Sequence, residues 1–326
     1  MRKIRYIDAV REAIKQSMEN DERVFVYGEG VDLAMGAFGI PLDLAKEFGE
    51  ERVFDMPMSE NALTGVGIGA AVNGMRPIMV HQRLDFILLT LDQIANHAAK
   101  MRYMWGGNVS VPFVIRAIVG RGWGQGAHHS QSFHSIFAHF PGLKVVLPSN
   151  AYDAKGLLIQ SIKDDNPVIF IEHKSLLGNE DYVPEEMYAI PLGEGKKVKN
   201  GEDATVVAFS LMIPEAVKAS EELAKQGIDI EIIDPRTSYP LDEKIIAVSV
   251  KKTGRLIVAD IDWLYCGISA EISAIAAEKY FDYLKAPIKR IALPHAPHPC
   301  SYSLEDVFYP NYKDIIEATK EVVKYK

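Results

Sequence analysis

Short apolar runs alternate along the chain with segments in which apolar residues return every three or four positions. Ile7, Val10, Ile14 and Met18 show the second spacing and predict a first helix. The apolar runs predict strands at residues 23–27, 53–55, 77–80, 111–117, 143–147 and 168–171. Helices are predicted at residues 42–48, from Glu60 onward, across Leu88–Met101 as one long helix, and at 153–163. Strands that alternate with helices predict a parallel sheet covered by helices on both faces.

The alternation lapses between residues 176 and 203, where glycines, prolines and charged residues cluster. We therefore predict a first domain over residues 1–190, a linker over 191–203 and a smaller α/β domain over 204–326. Lys196–Lys199 is interpreted as part of the solvated linker. In the second domain, strands are predicted at 205–209, 228–233, 255–259 and 288–293, with helices at 213–225, 241–250, 270–279 and 314–323.

Composition narrows the class of protein. The 326 residues are 48% hydrophobic and 25% charged, as in ordinary globular domains. The net charge of −8 argues against a nucleic-acid partner. Cys266 and Cys300 are far apart in sequence, which argues against a disulfide framework and favours a reducing compartment. With a charged N-terminus and no apolar run of membrane length, the sequence predicts a cytoplasmic protein without a membrane partner.

A carboxylate follows the second strand. Ser59 is placed to cap the next helix and Glu60 falls in its first turn, where an acidic side chain favours the helix dipole. The same position lies at the carboxyl edge of a parallel sheet, where α/β proteins bind ligands. From these residues alone, both interpretations of Glu60 stay open.

Three glycines in Gly65–Gly69 suggest a dinucleotide-binding motif, but they fall inside a predicted helix rather than between a strand and a helix. Close helix packing is the better interpretation. His81–Phe86, after a strand, fits either a cofactor or substrate pocket or a polar turn in which Asp85 caps a helix.

A glycine-rich loop after residue 117 ends in His128 and His129. No acidic ligand lies near these histidines in sequence, so proton transfer or charge stabilisation is favoured over a metal site.

Motifs along nearly the whole chain, in order, carry a family resemblance. They lie at residues 52–60, 91–94, 98–103, 105–107, 129–132, 141–149, 153–158, 164–168, 234–237, 241–242, 266–267 and 270–271. The chain resembles the beta subunits of the thiamine-diphosphate-dependent 2-oxoacid dehydrogenases (pyruvate, branched-chain and acetoin types), in the transketolase-like superfamily. The resemblance implies a parallel-sheet pyrimidine-binding domain followed by a transketolase C-terminal-type α/β domain.

The resemblance also implies that the active site is shared between chains. In this family the beta subunit holds the cofactor's aminopyrimidine, and the alpha subunit binds the diphosphate through magnesium with a Gly-Asp-Gly motif. This sequence has no Gly-Asp-Gly. It is therefore expected to need an alpha partner, in an assembly of two alpha and two beta chains.

Individual residues match family positions. Glu60 matches the glutamate that hydrogen-bonds the pyrimidine ring nitrogen, and Glu29 matches an acid between the two cofactor sites. His129 matches the histidine near the thiazolium that assists the intermediate and acyl transfer. The positions that line or stack against the pyrimidine are Met58, Gln82 and Phe86. A backbone potassium site of some members matches Phe113, Ser161, Ile162, Asp164 and Asn166.

Departures from the family pattern suggest a substrate preference. Val80–Arg83 stands where the family commonly has a glutamate followed by a hydrophobic or aromatic pair, and Arg121 and Trp123 are bulky for their loop. The family's usual His-Glu is Asp260-Ile261 here. A substrate pocket with His81, Arg83, Arg121 and His128 would suit an anionic or polyhydroxy molecule.

The expected function is oxidative decarboxylation of a 2-oxoacid, with acyl transfer to the lipoyl group of an acyltransferase. One alternative is a two-chain transketolase-like enzyme that moves a two-carbon unit from a sugar-like donor. The other is a non-catalytic assembly subunit.

Overall fold

The structure is a computed structural model that describes residues 2–31, 42–122 and 124–325. The chain divides into two compact units. The first takes the chain up to Gly120 together with Ile136–Leu192, and the second takes Arg121–Ser135 and everything from Gly193 onward. The segment Arg121–Ser135, which the sequence places inside the first domain, belongs to the second unit because its ends bond to Asp306 and Asp262.

The first unit is built from alternating strands and helices. In chain order they are β1 (Arg2–Arg5), α1 (Tyr6–Asn20), β2 (Val24–Gly28), α2 (Leu42–Phe48), β3 (Val53–Asp55), α3 (Glu60–Val72), β4 (Arg76–His81), α4 (Leu84–Ile87), α5 (Ala99–Met104), β5 (Val114–Val119), α6 (His134–Ala138, which begins in the second unit), β6 (Lys144–Val146), α7 (Ala151–Lys163), β7 (Val168–His173) and β8 (Glu180–Val183).

Six of these strands form a parallel sheet in the order β3-β2-β4-β5-β7-β6. The sheet is parallel because each strand returns through a helix, as the alternating pattern predicts. Its strands are almost fully buried, and α1 and α7 pack against each other beside it. The carboxyl ends of β2, β3 and β4 consequently lie side by side at one edge.

Two details of the first unit differ from the prediction. The long helix expected across Leu88–Met101 changes type, with a 3₁₀ turn at Leu88–Thr90 and a π-helix at Asp92–Ala98 before α5. Apolar spacing does not distinguish these turns from α-helix. The stretch of residues 176–203, where the alternation lapses, also contains β8, which pairs antiparallel with β1.

The second unit is a smaller α/β layer. Its elements are β9 (Lys196–Lys199), β10 (Ala204–Ala208), α8 (Met212–Ala224), β11 (Ile230–Asp234), β12 (Thr237–Tyr239), α9 (Glu243–Thr253), β13 (Leu256–Trp263), α10 (Ile268–Lys279), β14 (Lys289–Leu293), α11 (Tyr302–Phe308) and α12 (Tyr312–Lys324). Five strands form a sheet in the order β14-β13-β10-β11-β9.

The interpretation of Lys196–Lys199 as solvated linker is wrong. The segment is β9, an edge strand that pairs antiparallel with β11. Two of its lysines form ion pairs across that edge, Lys197 with Glu231 and Lys199 with Asp229. The run of lysines is therefore a charged edge strand, a common protection against further strand pairing.

Of the three glycines of α3, Gly67 allows the close packing that the sequence predicts. A Cβ at Gly67 would lie 2.0 Å from the Tyr27 hydroxyl and 2.9 Å from Phe113 Cζ, whereas a Cβ at Gly69 would meet nothing within 4 Å. We expect Gly67→Ala to lower the free energy of unfolding by about 1–3 kcal/mol through overpacking. Gly69→Ala is the matched control and should raise it by about 0.5–1 kcal/mol. Urea denaturation of the purified chain measures both, and equal effects would contradict the packing role of Gly67.

Candidate active site

Acidic side chains gather at the carboxyl edge of the first sheet. Gly28 at the end of β2 is in register with Asp55 at the end of β3 and with Val80 of β4. Glu29 follows directly, and Glu60 opens α3. The structure thus brings together Glu29, Asp55 and Glu60, although 31 residues separate the first from the last.

Backbone contacts fix Glu29 at this edge. A Cβ on Gly28 would lie 2.3 Å from Val80 O, so only glycine lets β2 approach β4 here. The Glu29 amide donates to Val80 O at 3.3 Å. Asp55 Oδ1 accepts from the amides of Gly30, at 2.5 Å, and Val31, at 3.3 Å. No local pattern marks this role of Asp55, because the amides that it holds lie about 25 residues earlier in the chain.

Glu29 is the carboxyl group whose acidity the site changes most clearly. It is 9% exposed, and its Oε1 is buried without a hydrogen-bond partner in the described part of the chain. Burial first, and then the Glu60 carboxylate, raises the pKa of Glu29 to about 7. A carboxyl with such a pKa takes up and releases a proton near neutral pH, as an acid–base group requires.

This raised pKa predicts a pH-dependent stability. Because the folded-state pKa lies above the ordinary 4.5, protonated Glu29 favours folding below pH 4.5, and that contribution is lost as the pH rises toward 7. Relative to Glu29→Gln, the wild-type chain should lose about 1–2 kcal/mol between pH 4.5 and 7.5, with the remaining water access of the carboxyl taken into account. Urea denaturation across this range measures the difference. Parallel curves for the two proteins would mean that Glu29 titrates at its ordinary value.

The residues expected around a pyrimidine lie near the same strand ends. Met58, directly before α3, is 89% exposed, and Gln82 and Phe86 are half-buried after β4 and within α4. Of the two expected helix caps, the position of Ser59 is confirmed and the cap at Asp85 is wrong. Ser59 occupies the N-cap position of α3 without a side-chain hydrogen bond, and Asp85 lies inside α4, whose N-cap is Arg83.

The expected cations of the substrate pocket are only partly available. His81 is fully buried, and burial lowers the pKa of His81 to about 4, so it is neutral at pH 7. Arg83 is buried too. Arg121 pairs with Asp306 at 3.0 Å and lies 5.1 Å over the Tyr309 ring. The structure therefore gives the expectation of an anionic substrate less support than the sequence does.

The glycine-rich loop places the two histidines in the second unit. His128 ends a 3₁₀ turn and is exposed, and His129 is half-buried with its amide donating to Gly126 O. Glycine is needed at Gly126, where φ is +61° and a Cβ would lie 2.2 Å from Cys300 Sγ. Trp123 lies outside the described residues.

The turn expected to hold potassium already carries a cation. Arg76 Nη1 donates to Ile162 O at 2.9 Å and to Asp164 O at 3.1 Å, and Phe113 O accepts from Val168 N. Only the second lone pairs of these oxygens remain for another cation. Within residues 2–31, 42–122 and 124–325, no group of three or more His, Cys, Asp or Glu residues could hold a metal ion. None of the described helices has the length and hydropathy needed to cross a membrane.

Two family models match this chain in the order expected. The model "Transketolase, pyrimidine binding domain" matches residues 2–180, and "Transketolase, C-terminal domain" matches residues 193–315. A solved structure, "Split gene transketolase, inactive beta4 tetramer", superposes with a TM-score of 0.81 at 20% identity and covers 99% of both chains. Fold and matches define a transketolase-like protein of two α/β domains, which confirms the predicted fold class.

Curated relatives narrow the class. The chain is 45% identical to "Acetoin:2,6-dichlorophenolindophenol oxidoreductase subunit beta" of Cupriavidus necator, covering 97% of this chain and 96% of that protein. It is 43% identical to "2-oxoisovalerate dehydrogenase subunit beta" of Bacillus subtilis and 41% identical to "Pyruvate dehydrogenase E1 component subunit beta" of Rickettsia felis, each with 98% coverage of both chains. The chain belongs to the family of beta subunits of the thiamine-diphosphate-dependent 2-oxoacid dehydrogenases, so the resemblance is confirmed.

Proposed function

We propose that this chain holds the aminopyrimidine of thiamine diphosphate and, with an alpha subunit, catalyses oxidative decarboxylation of a 2-oxoacid with acyl transfer to a lipoyl group. The observation that carries the proposal is the pair of Glu29 and Glu60 at the carboxyl edge of the first sheet. Burial and Glu60 raise the pKa of Glu29 to about 7 there. The names of relatives that are 41–45% identical support the reaction class.

The residues at this edge fit an aminopyrimidine. Such a ring presents nitrogen donors and acceptors, and Glu29 Oε1 is a buried oxygen without a hydrogen-bond partner in the described chain. Glu60, half-buried at the start of α3, can share a proton with a ring nitrogen. When bound, thiamine diphosphate supplies the electron sink for decarboxylation.

Each side chain then has a defined task. Glu60 holds a proton at the ring nitrogen, and Glu29 exchanges a proton near neutral pH. Met58, Gln82 and Phe86 orient the ring by packing and hydrogen bonding. His129 donates or accepts a proton at the reacting substrate, a task suited to a half-buried imidazole.

An alpha partner and a second beta chain are part of the proposal. Large apolar side chains of the first unit are exposed in the chain by itself, which is typical of surfaces that another chain covers. Those that are at least 61% exposed are Met58, Val66, Leu89, Tyr103, Met104 and Trp105. Two of them, Val66 and Leu89, lie on α3 and in the 3₁₀ turn after α4.

The proposal also covers the metal ions and the cellular location of the chain. In this proposal magnesium is held mainly by the alpha partner, and no group of three or more His, Cys, Asp or Glu among the described residues could hold a metal ion. A potassium ion at the 161–166 turn would share its carbonyl oxygens with Arg76. A cytoplasmic location is supported by two exposed free cysteines, Cys266 and Cys300.

The test is reconstitution. The chain is co-purified with the product of the neighbouring gene and assayed for carbon dioxide release from pyruvate, branched 2-oxoacids and sugar-like donors, with and without thiamine diphosphate. We expect cofactor-dependent decarboxylation of at least one 2-oxoacid. Turnover of ketose donors alone would indicate the two-chain transketolase-like enzyme, and absence of thiamine diphosphate binding by the complex would refute the proposal.

A further inference from the structure

A buried histidine lies between two aspartates where the glycine-rich loop ends. His134 Nε2 is 3.2 Å from Asp260 Oδ1, and its Nδ1 is 3.9 Å from Asp262 Oδ2. All three side chains are at most 2% exposed. Each ring nitrogen therefore lies within ion-pair distance of a carboxylate, an arrangement that favours the positively charged imidazolium.

The strand beneath the histidine is shaped for this contact. The register of β13 against β14 shifts between Ala259 and Trp263, so Asp260 and Asp262 lie in an irregular stretch of strand. Such bulges re-aim side chains. Asp262 Oδ2 also accepts from the Ser135 amide at 3.1 Å, which binds the loop backbone to the same carboxylate.

Charge, not packing alone, holds the group. Burial by itself would lower the pKa of His134, but Asp260 and then Asp262 outweigh burial and raise it to about 9. The Phe209 ring lies 6.2 Å from the His134 ring between centroids and offers no hydrogen-bonding group. The histidine is therefore a buried cation whose partners are the two aspartates.

The same loop carries His128 and His129. Toward its other end it is attached by Arg121, which pairs with Asp306, and by Gly126, which packs against Cys300. Between His129 and His134, the side chains of Ser130, Ser132 and Phe133 are buried. The loop is thus attached near both ends to other residues of the second unit, and the attachment at His134 is a buried ion pair.

We propose that His134 is a positioning residue, which fixes the loop carrying His129 onto β13 through Asp260 and Asp262. Its catalytic consequence rests on the proposed function of His129. Loss of the buried cation leaves two adjacent carboxylates without a counter-charge, so the loop separates from the strand and His129 loses its fixed orientation.

The test uses the reconstituted complex with His134→Gln, Asp260→Asn and the double variant His134→Gln/Asp260→Asn. The matched control is Glu231→Gln, which removes a buried, ion-paired carboxylate from the neighbouring part of the same sheet. Hydrogen exchange of peptides from residues 124–135 reports the loop, and steady-state kinetics reports its consequence.

In His134→Gln, loop exchange should accelerate about tenfold or more beyond the rest of the second unit. The kcat should fall about 10²-fold while the KM for thiamine diphosphate changes little. In a His129→Ala background, His134→Gln should cost no further activity, since both changes remove one function. Glu231→Gln should leave loop exchange and kcat unchanged.

The double variant covers the case in which His134→Gln alone does not fold. It replaces the ion pair by two neutral amides, and should restore most of the loop protection. The proposal would be overturned if, in His134→Gln, hydrogen exchange of the loop rose no more than that of the rest of the second unit. It would also be overturned if His134→Gln lowered kcat as much in the His129→Ala background as in the wild-type chain. A complex inactive toward every 2-oxoacid refutes the proposed function instead, while the exchange data still decide on His134.

Discussion

Glu60→Gln is expected to reduce kcat of the reconstituted complex about 10³-fold. Glutamine keeps the shape of the side chain and can still hydrogen-bond, but it cannot share a proton with a ring nitrogen. Stability should change by less than about 1 kcal/mol, the size of a first-turn carboxylate's interaction with the helix dipole. Steady-state decarboxylation and urea denaturation measure the two effects on the same preparation.

The same variant, Glu60→Gln, should also change the titration of Glu29. Because the Glu60 charge contributes to the raised pKa of Glu29, that pKa should fall in Glu60→Gln, and the pH dependence of stability should weaken with it. Glu50→Gln, at an exposed glutamate of the same unit, is the matched control and should leave both measurements unchanged. Full turnover by Glu60→Gln would make this chain the non-catalytic assembly subunit.

The chain without an alpha subunit should show no decarboxylation above background. A diphosphate needs a metal ion and its ligands, and the sequence has no Gly-Asp-Gly, while the described residues contain no metal-binding cluster. Adding the alpha subunit should raise turnover until the two chains are equal in amount. Turnover by the purified beta chain alone would contradict a shared site.

The same titration can test whether the exposed apolar side chains Tyr103, Met104 and Trp105 contact the alpha subunit. Tyr103→Asp, at a side chain that is 89% exposed beside Met104 and Trp105, should raise the alpha concentration needed for half-maximal activity. Tyr182→Asp is the matched control, because Tyr182 is 59% exposed on β8, where no such apolar neighbours adjoin it in sequence. Equal shifts for the two variants would place the partner elsewhere.

Most strands and helices of the fold could be predicted from the spacing of apolar residues. It predicted β3 and α2 at their observed bounds and most other strands within a few residues, because buried parallel strands are continuous apolar runs. It missed β1, β8 and β9, which are rich in charged residues and pair at edges, and also the three-residue strand β12. Local sequence propensity does not show which distant strand pairs with the edge of a sheet.

The candidate site was predictable where a motif or a strand end marks it, as at Glu60. The raised pKa of Glu29 and the turn held by Asp55 depend on distances across three strands, which no local pattern encodes. The buried contacts of His134 were equally hidden. The sequence showed Asp260 only as a departure, and its partner lies in a loop more than a hundred residues earlier.

The assignment of Arg121–Ser135 to the second unit has a consequence for biosynthesis. Chains are made from the N-terminus, and domains generally fold as units as they emerge. This loop leaves the ribosome long before Asp260, Cys300 and Asp306, so it lacks these partners while the first unit folds. The segment, which carries three histidines, is therefore expected to be among the last parts to reach its final conformation. A nascent chain stopped before β13 would lack the aspartates that anchor it.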